Sequence, residues 1–193
     1  MSDQMSDATD VEQLIAEISA LRGKVAQLQE RVAQLDQLAH QDALIDLPNR
    51  RGFMRALERL IDRVNRYDEK AAMLFVDIDG LKLINDSFGH KAGDEALIQV
   101  ATVLAKGVRK SDCVARLGGD EFGIVLAHAT EETARETADR LTAAIEEQES
   151  HCDGNRLPLS VAIGATLIDA NDTAEAVIGR ADRAMYREKS AAA

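Results

Sequence analysis

The sequence predicts an α+β domain on a split β-α-β plan, of the kind found in ferredoxin-like sheets, preceded by a long helical arm. Three observations predict it. From Val11 to Ala39 the apolar residues recur at alternating spacings of three and four. Beyond Asp42, short β-rich runs are interleaved with segments of helical period. Two of those runs lie on either side of Gly118-Gly119-Asp120-Glu121, a hairpin signature with a glycine pair at the bend.

Residues 1–10 are acidic and polar and are expected to be disordered. In the repeat that follows, Val11, Ile18, Val25, Val32 and Ala39 fall at the first heptad position, and Leu14, Leu21, Leu28 and Leu35 at the fourth. Mostly β-branched residues paired with leucine in this way favour two parallel strands, so residues 11–41 are expected to form a parallel dimeric coiled coil. Glu17 can then reach Arg22, and Arg31 can reach Asp36, of the partner helix. A lone helix lying on its own domain would carry a wider apolar stripe.

Residues 42–193 make up the mixed domain. Leu47-Pro48-Asn49-Arg50 is a turn, and Phe53, Leu57, Leu60, Ile61 and Val64 recur at helical spacing after it. Met73-Leu74-Phe75-Val76 is a buried strand that ends at Asp77. A short helix is expected over Leu81–Phe88 and a longer one over Gly93–Val108. Cys113–Leu117 and Phe122–Ala127 form the hairpin strands. Thr130–Ile145 reads as a helix whose capping box has Thr133 in place of the usual acid, which predicts a weak cap. Leu159–Leu167 alternates as a strand, and Thr173–Lys189 closes the domain as a helix. Such a plan leaves its helices as a layer on one face of the sheet.

Composition bounds the function. The 193 residues carry a net charge of −11, so no general basic surface is available for nucleic acid, and a phosphate ligand needs a local site or a metal. The longest run free of polar residues, Ala71 to Val76, is far below the ~20 residues of a membrane span. The N-terminus lacks the basic and apolar blocks of a secretory signal, so a cytoplasmic protein is expected. Cys113 and Cys152 fit neither a disulfide framework nor a zinc site and read as reduced bystanders.

Asp77 and Asp79 end the first strand, and Asp120 and Glu121 occupy the hairpin turn, so a split β-α-β sheet can bring the two groups together. Clustered carboxylates suit a hard cation such as Mg²⁺, whose shell is completed by waters and substrate phosphates. Taken alone, these acids could equally be strand-ending and solvated turn residues. Gly118-Gly119 and Gly89-His90-Lys91-Ala92-Gly93-Asp94 favour a phosphate site, because glycine permits close backbone approach and helix N-termini favour anions.

The stretch Arg116-Leu117-Gly118-Gly119-Asp120-Glu121-Phe122 resembles the signature of the GGDEF-domain diguanylate cyclases. The resemblance extends in order through Asp42, Leu47-Pro48-Asn49-Arg50, Asp77-Ile78-Asp79, Lys82, Asn85-Asp86, Gly89-His90 and Gly93-Asp94. It continues through Ser160 to Gly164, Ala181-Asp182, Tyr186 and Lys189, and so covers residues 42–189.

The resemblance implies a nucleotidyl-cyclase palm with a mainly antiparallel central sheet. It also implies condensation of two GTP molecules into cyclic dimeric GMP (c-di-GMP) and two pyrophosphates across a homodimer, with Mg²⁺ or Mn²⁺. Asp77, the Ile78 carbonyl and Asp120 would be metal ligands, and Glu121 a second-metal ligand or the group that helps deprotonate the 3′-hydroxyl. Asn85 and Asp94 would read guanine, Lys82 and Lys189 would hold the β- and γ-phosphates, and Gly118 and Gly119 would line the GTP site. Arg109 and Asp112, upstream of the signature, resemble the family's inhibitory product site, to which Arg140 could add a second guanidinium.

The chain departs from the family pattern at Ile45, where Thr is usual, and at Gly80-Leu81, where an aromatic pair is common. Ala193 stands where an arginine is expected, a change that would lower GTP affinity. Two other readings carry less weight. Nucleotide-binding members without catalysis usually lose the signature acids, which are present here. A cyclase making a cyclic mononucleotide fits poorly with the guanine pair and the full signature.

Overall fold

The computed structural model describes residues 2–152 and 154–192, and the chain divides into two compact units, residues 1–39 and 40–193. The first unit is the helix α1 (Ser2–His40). This helix begins at Ser2, so it takes in the segment expected to be disordered. Ile18, Leu21, Val25, Leu28, Val32 and Leu35 are between 47% and 65% exposed, leaving the apolar seam open along the helix. The side chains of the first two seam residues, Val11 and Leu14, lie outside the described residues.

The second unit is built on a four-stranded antiparallel sheet in the order β2-β3-β1-β6. Its central strand β1 (Ala71–Ile78) lies between β3 (Glu121–Ala127) and β6 (Val161–Ile168), and β2 (Cys113–Gly118) is at one edge. Along β1 the side chains alternate between two cores. Ala72, Leu74, Val76 and Ile78 enter one, while Ala71, Met73 and Phe75 enter the other. A strand buried on both faces needs apolar residues at every position, which is why β1 reads as an unbroken apolar run.

Helices therefore cover both faces of the sheet, not the single face expected. One core is completed by α3 (Leu81–Phe88), α4 (His90–Gly107) and α5 (Glu131–Glu146), through Leu81, Ile84, Leu97, Val100, Leu104, Leu141 and Ile145. The other is completed by α2 (Arg50–Tyr67) and α6 (Ala174–Ala192), through Phe53, Leu57, Leu60, Ile61, Val177 and Met185. Each buried side chain of this size contributes about 1.5–3 kcal/mol.

Local chemistry sets the ends of these elements. Asn49 caps α2, its Oδ1 accepting from Arg51 N at 2.9 Å and Gly52 N at 3.1 Å. The cap of α5 is complete, where a weak one was expected. Thr130 Oγ1 accepts from Thr133 N (3.3 Å), and Thr133 Oγ1 accepts from Thr130 N (2.9 Å), so a hydroxyl does the work of the usual Glu. A small hairpin of β4 (Ser150–Cys152) and β5 (Asn155–Leu157) falls in a stretch with no predicted element. Among the described residues, no helix is long and apolar enough to cross a membrane.

Candidate active site

The carboxylates of interest meet at one end of the sheet. Strand β1 delivers Asp77 directly opposite Glu121, the first residue of β3. The turn ahead of β3 passes through Gly118 (φ 145°) and Gly119 (φ 57°), backbone conformations that side-chain-bearing residues rarely adopt, and it places Asp120 beside the end of β1. There, Ile78 N donates to Asp120 O at 3.1 Å. Asp79 is held against β6: its N donates to Ser160 O (3.0 Å), and Ser160 Oγ donates to Asp79 Oδ2 (2.9 Å).

Lys189, near the end of α6, donates to Asp77 Oδ1, and its Nζ is 3.6 Å from Asp79 Oδ1. Sequence reasoning assigns this lysine to phosphate; in the structure it pairs with the two acids at the strand end. Burial raises the Asp77 pKa, the bond from Lys189 opposes that, and the charges of Asp120 and Asp79 add to the rise, leaving it above the ordinary 3.8. Burial works against the Lys189 ammonium, but Asp77 and Asp79 outweigh it and raise its pKa. Glu121 is pushed above its ordinary 4.5 by burial and by Asp120, Asp77 and Asp182, with Arg50 opposing.

Negative charge thus exceeds positive charge at this end of the sheet, and every donor is a hard oxygen. Among the described residues, no three carboxylate, thiol or imidazole groups converge tightly enough to enclose a metal by themselves. The arrangement fits a small divalent ion that keeps waters and takes phosphate oxygens into its shell, which is how Mg²⁺ usually binds. A groove of about 1300 Å³ extends from Asp79, Gly80 and Lys189 along β6 to α5.

The other expected residues fall into two places. Asn85 on α3 lies against the first turn of α4, where a methyl group at Gly93 would come within 2.1 Å of Asn85 Oδ1. Glycine at 93 is what lets the two helices hold Asn85 there, next in sequence to the exposed Asp94. Lys82 is exposed on the first turn of α3. Arg109, Asp112 and Arg140 all line a separate cavity of about 100 Å³, together with Gly107, His128 and Thr137. The Asp112 carboxylate is tied to backbone, accepting from Arg109 N at 3.0 Å and Ala127 N at 3.2 Å, while Arg140 donates to Gly107 O at 2.8 Å.

Three features escaped sequence reasoning as working parts of the site: the Asp79–Ser160 bond, the charges of Asp182 and Arg50 acting on Glu121, and the bonds of Arg116 to the glycine turn. All these residues except Arg116, three residues from Gly119, lie far from their partners in sequence, so spacing alone could not pair them. Both cysteines are half-buried free thiols, and burial raises the pKa of Cys113.

An antiparallel palm sheet with carboxylates at the end of its central strand and on the adjoining hairpin defines the class of this domain. The chain belongs to the diguanylate cyclase, GGDEF domain family, whose sequence profile matches residues 39–193. It is 41% identical over 166 residues to the diguanylate cyclase TpbB of Pseudomonas aeruginosa, covering 85% of this chain and 38% of TpbB. The chain therefore spans well under half the length of that relative. The fold matches the coiled coil and GGDEF domain of DgcB from Caulobacter crescentus, solved in complex with c-di-GMP, with a TM-score of 0.85 at 24% identity over 92% of this chain and 95% of that one. A microbial GGDEF domain solved for its interaction with bis-(3′,5′)-cyclic di-GMP gives 0.71 at 32% identity, over 81% and 94% of the two chains.

Proposed function

We propose that the chain is a diguanylate cyclase that condenses two GTP molecules into c-di-GMP with release of two pyrophosphates. The observation that carries this reading is the register placing Asp77 opposite Glu121 and beside Asp120, in a chain of the GGDEF family. In the reaction each 3′-oxygen bonds to the α-phosphorus of the other GTP, the bond to the β-phosphate oxygen breaks, and the hydroxyl proton is lost.

Asp77, the Ile78 carbonyl, Asp120 and Glu121 are the residues that would hold Mg²⁺ or Mn²⁺, which when bound supplies positive charge to the attacking and leaving oxygens. Glu121, in register with Asp77, would hold a second metal ion or help take up the hydroxyl proton. Asn85 and Asp94 hydrogen-bond the guanine edge; an acceptor opposite N1–H rejects adenine, whose N1 is itself an acceptor, because the bound base would leave both unpaired. Lys82 holds phosphate, and Lys189 turns from Asp77 to phosphate when nucleotide arrives.

Each domain carries one GTP, so two domains must face each other. The open seam from Ile18 to Leu35 supports a parallel coiled-coil homodimer that raises their effective concentration, to the mM range for short connections. The cavity of Arg109, Asp112 and Arg140 supports a product site in which guanidinium groups take phosphate or a guanine edge. A cytoplasmic setting suits this chemistry, which draws on GTP.

The test is chromatography of products formed by the purified chain with GTP and Mg²⁺ at several protein concentrations, with sedimentation run alongside. We expect c-di-GMP and pyrophosphate from a dimer, and none from Asp120→Ala, which keeps its fold. Undiminished turnover by Asp120→Ala would refute the site. In the same assay Arg109→Ala should keep its initial rate near wild type and lose inhibition by added c-di-GMP. Equal inhibition of both proteins would refute the product site.

A further inference from the structure

We propose that Arg116 is a positioning residue that aims Asp120, a role that rests on reading Asp120 as a metal ligand. Two peptide planes flank Asp120, and the carbonyl of each is held. On its C-terminal side, Asp120 O accepts from Ile78 N at 3.1 Å, a bond supplied by the neighbouring strand. On its N-terminal side, Gly119 O accepts from Arg116 Nε at 3.1 Å and Nη2 at 2.8 Å. Among the described residues, this guanidinium is the side chain that anchors the Gly119 carbonyl.

The anchor matters because the turn itself offers little resistance to rotation. Gly118 and Gly119 both have positive φ, no heavy atom beyond their chain neighbours lies within 4 Å of where a Cβ would sit on either, and the strand register shifts between Arg116 and Gly118. Without Arg116 the 119–120 peptide can swing, and the Asp120 carboxylate swings with it.

Arg116 is in turn held from the other side. Its Nη1 lies 3.3 Å from Asp42 Oδ1, and that oxygen also accepts from Leu44 N (2.9 Å) and Ile45 N (3.2 Å). Arg116 N donates to Pro48 O at 2.9 Å. The two side chains are only 16% and 17% exposed, so this is not a solvated surface pair. The planar fork of arginine can meet a carbonyl with two donors and a carboxylate with a third, and the point charge of lysine cannot. The turn at residues 42–48 and the hairpin that carries the acids are thereby joined through the side chain and the backbone of one residue.

The test compares wild type with Arg116→Ala, Arg116→Lys, Asp42→Asn and the double variant Asp42→Asn/Arg116→Ala, each assayed at least 20 °C below its own melting temperature. Misplacing a catalytic group by about 1 Å can cost about 10²-fold in rate, and a kcat loss of that order is expected for Arg116→Ala. The KM for GTP should change by less than about threefold, since the base and terminal phosphates are held from α3, α4 and α6. Arg116→Lys should not restore kcat, and Asp42→Asn should lose part of it. The double variant should be no worse than Arg116→Ala alone. Wild-type kcat in Arg116→Ala, recovery in Arg116→Lys, or a fall in kcat matched by an equal rise in KM would overturn the proposal while leaving the cyclase reading intact. A wild-type chain that makes no product overturns both.

Discussion

Helix α6 carries two cations that meet acids in opposite ways. Arg180 donates to Asp172 Oδ1 at 2.8 Å and Oδ2 at 2.6 Å, to Leu167 O at 2.9 Å and to Thr166 Oγ1 at 3.3 Å. Asp172 Oδ2 also accepts from Asp169 N at 2.8 Å. The bond from Arg180 outweighs burial and holds the Asp172 carboxyl below its ordinary range, and the same bond raises the Arg180 pKa. Lys189 faces an acid that is not satisfied: burial and the neighbouring Asp120 and Asp79 keep Asp77 above its ordinary value despite the lysine. One pair is complete and locks α6 onto the end of β6. The other leaves a surplus of negative charge that a second, more highly charged cation would relieve. Similar residue types thus stabilise the fold at one place and leave uncompensated negative charge at the other.

Exchanging the effects of the two acids is the strongest way to break this contrast. Asp77→Asn should lower turnover by about 10³-fold, the scale of a few kcal/mol of transition-state stabilisation, with an unchanged or higher melting temperature. Asp172→Asn should leave specific activity within about twofold of wild type and cost about 1–3 kcal/mol of stability through the lost charge-assisted bonds. For a domain of this size that is a fall of several degrees by calorimetry. If both variants lose activity and stability together, the two pairs do not differ in kind.

Most of the frame that carries these pairs is legible in the sequence, and neither pair is. The end of β1, the hairpin acids and the helices around them follow from periodicity and a glycine pair, and α3 occupies the predicted residues Leu81–Phe88. The second helix layer was also within reach: an uninterrupted apolar run such as Ala71 to Val76 already implies a strand buried on both faces. The hairpin β4–β5 was out of reach because strands of three residues are too short to show a period. The contacts of Lys189 with Asp77 and of Arg116 with Asp42 span 112 and 74 residues, so only the closed sheet and the seated α6 bring them together. Even the family resemblance assigns Lys189 to phosphate and is silent on what it does when none is bound.

The smallest expected effect is also the one that separates the two pairs by sign. Asp172 has a folded pKa below its ordinary 3.8, so the folded chain holds this proton less tightly than the unfolded chain. Its stabilisation is complete above 3.8 and is lost as pH falls through the folded value. Asp77 and Glu121 have folded pKa values above 3.8 and 4.5, so the folded chain retains protons that the unfolded chain has released. Their ionisation therefore costs stability; the cost is absent below the ordinary values, grows as pH rises toward the raised ones, and is complete above them. In metal-free buffer, Glu121→Gln should melt above wild type at pH 7, and that gap should close as pH drops below about 4. Asp172→Asn should melt below wild type at pH 7, and its gap should persist until still lower pH. Calorimetry of the three proteins across this range gives the result directly, and a Glu121→Gln that melts below wild type at neutral pH would show the acids at this end of the sheet to be as fully compensated as Asp172.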